Sequence, residues 1–140
     1  MPPHTNTDRQ CVSLSNVDVG ACTMNQAMTQ QQDAMFGIGT FQGVPENHIL
    51  CFWVNEVETE TGRRLAGCAS HPRDRGACVV SALGSPWTLA HEVGHVLGLR
   101  HVNGTSNLMS TPTASINYNP PQLSASEVDT VRRSRFCQRA

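Results

Sequence analysis

His91-Glu-Val-Gly-His-Val-Leu-Gly-Leu-Arg-His101 is the stretch on which the reading of this chain turns. On a helix, at about 100° per residue, His91 and His95 stand ~40° apart on one face and roughly 6 Å apart along the axis, so their two imidazoles can grip one ion. Glu92 follows His91 directly, which aims its carboxylate to the side of the metal, within reach of a water there yet not itself a ligand. Gly98 ends the helix, because glycine takes the left-handed conformation that other residues resist and lets the chain swing so that His101 meets the ion from outside. Three neutral nitrogens leave one tetrahedral corner open, and an open corner separates a catalytic zinc from a structural one. All five residues falling at these offsets by accident has a probability on the order of 10⁻⁵ at average residue usage, so the pattern outweighs a core helix that happens to carry histidines.

The surrounding residues fit a helix. Leu89, Val93, Val96 and Leu97 form an apolar stripe that reads as the buried face, with the histidines opposite. Ser85-Pro86 places a hydroxyl cap before a proline suited to the first helical position, which predicts a helix from about 86 to 97.

From His91 to His101 the chain resembles the metzincin clan of zinc peptidases at every fixed position of its signature, and within the clan it is most similar to the matrixins. In that family a methionine turn follows the third histidine by eight residues, and Met109, in Asn107-Leu-Met-Ser110, lies eight after His101. The resemblance implies an apolar floor at Met109 beneath the metal. It also implies an α+β, zincin-like fold: a twisted mixed sheet with a backing helix, an active-site helix, the methionine turn and a C-terminal helix. Gly67-Cys-Ala-Ser-His-Pro72 and Ala77-Cys-Val-Val-Ser81 look like the matrixin edge strand and its neighbour, so backbone groups near Cys68 and Ala69 would pair with an extended substrate.

The chain also departs from the matrixin pattern. The loop from Arg73 to Gly76 is too short and too poor in His and Asp for the structural zinc and calcium sites of animal matrixins, so one zinc ion is expected. Ser110-Thr111-Pro112 replaces the Tyr-Pro that follows the methionine turn, which leaves Pro112 to shape the pocket wall. Thr111 stands where some other metzincins carry a tyrosine ligand. Tyr118, the chain's single tyrosine, is either an oxyanion support over the cleft or an ordinary packed side chain.

Composition bounds the rest. The 140 residues suit one domain, 1–140, with a single core, and 39% hydrophobic content is adequate for it. A net charge of -1 gives no electrostatic reason to expect nucleic acid or an anionic membrane as partner, and no run approaches transmembrane length. All ten basic residues are arginine. Six cysteines in so short a chain point to an oxidising compartment and up to three disulfides, hence to a secreted or exported protein whose leader is not visible; a monomer is expected. Cys68 with Cys78, Cys11 with Cys22, and a tie from Cys137 to the body are among the fifteen possible pairings, and a reduced protein with buried thiols is the alternative. No Cys-x-x-Cys pair suggests a thiolate-bound zinc.

Along the chain there are no repeats or charge blocks. Residues 1–10 are expected to be flexible, with His4, Asp8 or Cys11 able in principle to reach the metal and hold it latent. A first strand at 12–19 and a backing helix at 23–36 with Met24, Met28 and Met35 in the core follow, and His48–Asn55 reads as a buried strand. Glu56, Glu58 and Glu60 read as a solvated hairpin or loop. Ser124-Ala-Ser-Glu127 is a capping box, with Leu123 stapled on Val128, opening a helix of about 125 to 136.

The function expected is zinc-dependent endopeptidase activity on a protein or peptide, with His91, His95 and His101 on the metal and Glu92 as base. Two alternatives remain: a zinc hydrolase or toxin domain with one narrow target or a cell-wall peptide link, and a non-catalytic zinc-stabilised binding module.

Overall fold

The computed structural model describes residues 15–37 and 44–137. Residues 1–10, Cys11 and the start of the expected first strand lie outside the described residues. Among the described residues the fold is α+β, with three α-helices and two small mixed sheets.

In the first sheet β1 (Asn16–Asp18) runs parallel to β3 (Glu56–Glu58), which pairs antiparallel with β4 (Arg64–Leu65). In the second, β2 (Ile49–Trp53) runs parallel to β6 (Gly76–Val80), which pairs antiparallel with β5 (Gly67–Cys68). Backbone bonds stitch the two sheets where their strands break: Val54 N–H donates to Val80 O, Ala82 N–H to Asn55 O and Ser81 N–H to Ala66 O. The glutamate stretch is therefore a hairpin as expected, but one whose first arm is a strand with Val57 wholly buried, because period-two alternation sends Val57 inward and Glu56 and Glu58 outward.

β6 carries Gly76, Ala77, Cys78, Val79 and Val80, all buried, as a strand covered on both faces requires. On one face Ala77 and Val79 meet Val17, Val19, Val57, Met35 and Phe36. The last two belong to α1 (Gln30–Phe36), whose N-terminus is closed by a capping box between Thr29 and Gln32. The expected backing helix is thus a single short stretch at its C-terminal end. Residues 23–29 are irregular, with a turn at 24–25, since Thr29 caps the helix with its own side chain, and Met24 is 44% exposed rather than core. On the other face Cys78 and Ala69 receive Leu89, Val93 and Val96 of α2 (Thr88–Val96), together with Phe136.

α3 (Ala125–Arg133) opens on the expected capping box of Ser124 and Glu127, and its last turn carries Arg132 and Arg133. It ends at Ser134, and a 3-10 turn, Arg135–Cys137, follows. Cys137 is a free, exposed thiol; the tie to the body is made by Phe136 instead, whose ring occupies the space over Gly76 that a β-carbon would fill. A disulfide joins Cys22 to Cys68, so neither Cys68 with Cys78 nor Cys11 with Cys22 is the pairing. The reason lies in the strands: Cys68 is register partner of Val79 rather than of Cys78, and its side chain joins the α1-side core with Cys22, whereas Cys78 points to α2.

Candidate metal centre

The helix α2 starts two residues later than the sequence suggests. Ser85 and Pro86 form a turn in which Thr88 N–H donates to Ser85 O and Trp87 N–H to Ser85 Oγ, so the proline leads into the helix and Trp87 takes the N-cap position without a side-chain capping bond. At the other end Gly98 has φ +101, the left-handed half of backbone space that a side chain would strain. The chain therefore doubles back, with Gly98 N–H on His95 O and Leu99 N–H on Gly94 O, and brings His101 alongside the helix.

The three imidazoles converge. Nε2 of His91 lies 3.2 Å from Nε2 of His95 and 3.1 Å from Nε2 of His101, and the last two nitrogens are 3.0 Å apart. Tetrahedral ligands at zinc–nitrogen distances of about 2.05 Å stand about 3.3 Å from one another, so the triangle matches one shared ion. The opposite ring nitrogens fix the tautomers: Nδ1 of His91 is 2.8 Å from Leu108 O and Nδ1 of His95 is 2.8 Å from Leu99 O. A carbonyl only accepts, so each Nδ1 carries the proton and each Nε2 turns its lone pair to the common point. Burial depresses all three imidazole pKa values, that of His95 to about 4, which keeps the rings neutral and able to bind a cation. Lone pairs crowded in this way repel one another unless a cation sits between them, and the donor set fits a borderline-soft divalent ion. Among the described residues this is the one group of three that could hold a metal.

Glu92 is 7% exposed, and burial raises its carboxyl from 4.5 to about 7. Its side chain packs against the edge strand β5, where a β-carbon on Gly67 would stand 2.8 Å from Glu92 Cγ and 2.9 Å from Oε1. Glycine at 67 is what lets the carboxylate lie there.

Met109 is fully buried, with its sulfur against Gly94, which lies on α2 between the two helical histidines. Its turn is held from below: Met109 N–H donates to Asn107 Oδ1 at 2.7 Å, Asn107 Nδ2 donates to Glu127 Oε2 at 2.9 Å, and Leu108 N–H donates to Gln122 O. Leu108, whose carbonyl holds His91, thus sits in a loop anchored to the start of α3.

The remaining expected site residues are placed less centrally. Cys68 and Ala69 are buried at the edge of the β2-β6-β5 sheet, with Cys68 in its disulfide. Pro112 is exposed and precedes a 3-10 turn, Thr113–Ser115. Tyr118 is 50% exposed, so it is not a packed side chain. Sequence reasoning missed Gly67 and Gly94, whose role is only to leave room, and the Leu99 and Leu108 carbonyls, which any residue type would supply. It also missed the buried pair Thr88 and Thr113, whose hydroxyls lie 2.7 Å apart and join the start of α2 to the loop after Met109.

Comparison of the chain with protein-family models, with curated proteins and with solved structures finds no match.

Proposed function

We propose that this chain is a zinc-dependent endopeptidase of the metzincin type, with His91, His95 and His101 as zinc ligands and Glu92 as the acid–base residue. The observation that carries the reading is the convergence of three Nε2 atoms within 3.2 Å, two of them oriented by backbone carbonyls, with a buried carboxyl on the residue after the first ligand. A purely structural site has no use for that carboxyl. Zinc bound there supplies Lewis acidity, which makes water easier to deprotonate and a carbonyl easier to attack.

The chain's own residues do the rest. Glu92 takes a proton from the attacking water and returns it to the leaving amine, and a carboxyl already lifted towards neutrality by burial is suited to both directions of transfer. Met109 floors the ligand set and α2 holds two of the ligands rigidly. The edge position of β5, with Gly67 against Glu92, supports an extended peptide adding beside Cys68 and Ala69 and so lying across the carboxylate. The Cys22–Cys68 disulfide supports a secreted or exported setting, and no helix of the described residues is long and apolar enough to cross a membrane.

The test is metal analysis with proteolysis of casein, gelatin and a peptide library. Glu92→Ala should retain zinc and fold yet lose cleavage, and a chelator should abolish cleavage by the parent. Undiminished cleavage by Glu92→Ala would reject the assigned role. Cleavage restricted to peptidoglycan fragments would move the protein to the cell-wall alternative.

A further inference from the structure

Cys51 and Cys78 take no part in the metal centre, yet they are placed together. They are register partners on the parallel strands β2 and β6, so their side chains leave the sheet on the same face. Neighbouring strands lie about 4.8 Å apart, inside the Cα separation that a disulfide spans. The two sulfurs are already 3.6 Å apart, with the Cys78 thiol donating to Cys51. Cys51 is exposed and Cys78 is buried, so a reagent reaches the pair from one side only. A disulfide, Cys22–Cys68, is formed elsewhere in the fold.

We infer that Cys51 and Cys78 are a thiol–disulfide exchange site that closes to a cross-strand disulfide between β2 and β6, with a small-molecule disulfide such as oxidised glutathione as oxidant. The Cys51 thiolate attacks one sulfur of the oxidant and expels one thiolate, leaving a mixed disulfide on Cys51. Cys78 then loses its proton, attacks Cys51 Sγ and expels the second thiolate. The two protein thiols give up two electrons and two protons in all, and the oxidant leaves as two thiols. The order follows from the surroundings: the hydrogen bond from Cys78 lowers the Cys51 pKa, while the same bond together with burial raises that of Cys78. The new bond would brace the strand on which α2 rests, because Cys78 lies in the cluster with Ala69 and Val96.

The test equilibrates the folded, metal-loaded chain in buffers of reduced and oxidised glutathione. Free thiols are trapped with N-ethylmaleimide under denaturing conditions, and the product is cut with trypsin and a glutamate-specific protease. These cuts separate Cys51, in residues 47–56, from Cys78, in residues 76–92. The oxidised buffer should give the two peptides joined and lighter by two hydrogens than the sum of the free thiols, and dithiothreitol should part them. Cys51→Ser, a change at an exposed position, should leave Cys78 as a free thiol that native protein shields from the maleimide. Both thiols trapped separately after oxidation, Cys51 found only as a glutathione adduct, or either cysteine joined to Cys11 or Cys137 would overturn the proposal.

Discussion

Gly94 of α2 lies directly on the sulfur of Met109: a β-carbon at position 94 would stand 2.6 Å from Sδ and 3.3 Å from Cε. Position 94, between the two helical histidines, is thus kept bare by the methionine that lies against it. In Gly94→Ala the gain in helix propensity, about 1 kcal/mol, works against an overpacking cost of about 1–3 kcal/mol, and the cost wins because Met109 is fully buried. Denaturant unfolding should show a net loss of about 1 kcal/mol and a weaker hold on zinc. Met109→Ala alone should cost about 2–5 kcal/mol through the cavity it leaves. The double variant should cost less than the sum, since the new methyl group fills part of that cavity; strict additivity would mean that the two residues do not share the space.

The histidine cluster was legible in the sequence because helix geometry turns spacing directly into position: His91, Glu92 and His95 need only a helix, and Gly98 needs only its missing β-carbon. Met109 was legible through its distance from His101 in a resembling family. The cysteines were not, because pairing depends on which face of a strand each sulfur takes, and a shift of one residue at Cys68 or Cys78 reverses the answer. The helix at 23–36 was overextended for a related reason. Its glutamines and methionines suit a helix throughout, but Thr29 closes a capping box with Gln32 and sets the boundary from within. The Cys51–Cys78 neighbourhood followed from strand register alone, which no local pattern encodes.

Glu92 should make the metal-free protein sensitive to pH with a definite sign. Burial raises its carboxyl from 4.5 to about 7, so the folded state keeps the proton over a range in which the unfolded state has lost it. Stability therefore falls as the pH rises from about 4.5 to about 7, and the full cost stands above that window. Glu92→Gln is neutral and nearly the same shape. Without metal it should exceed the parent by about 2–3 kcal/mol at pH 8 and equal it near pH 4, a difference in which the histidines cancel. A difference that does not change between those pH values would show that the carboxyl is not desolvated.

Gly67 should act on the same carboxyl from the sheet. A methyl group there meets Glu92 Cγ at 2.8 Å and Val79 O at 3.0 Å, and of these only the side chain can move. Gly67→Ala is expected to retain its zinc, to lose about 1–3 kcal/mol of stability, and to lower kcat for peptide cleavage more than it changes KM. Unchanged kcat would mean that Glu92 works equally well from a displaced position.

Removing the metal tests the ligand set itself. A ligand that binds only the folded chain stabilises it by about 4 kcal/mol at a thousand times its Kd, which for a chain of this size raises Tm on the order of 10 °C. Chelation should lower Tm by that amount, and readdition of zinc should restore it. His91→Ala should abolish the response, and it should also lose stability in the metal-free state, because the Leu108 carbonyl is left without its Nδ1–H donor. His101→Ala should abolish the response with a smaller loss in the metal-free state, since His101 is exposed where His91 is buried. Replacements that keep the full zinc-dependent rise in Tm would show that the ion is held elsewhere.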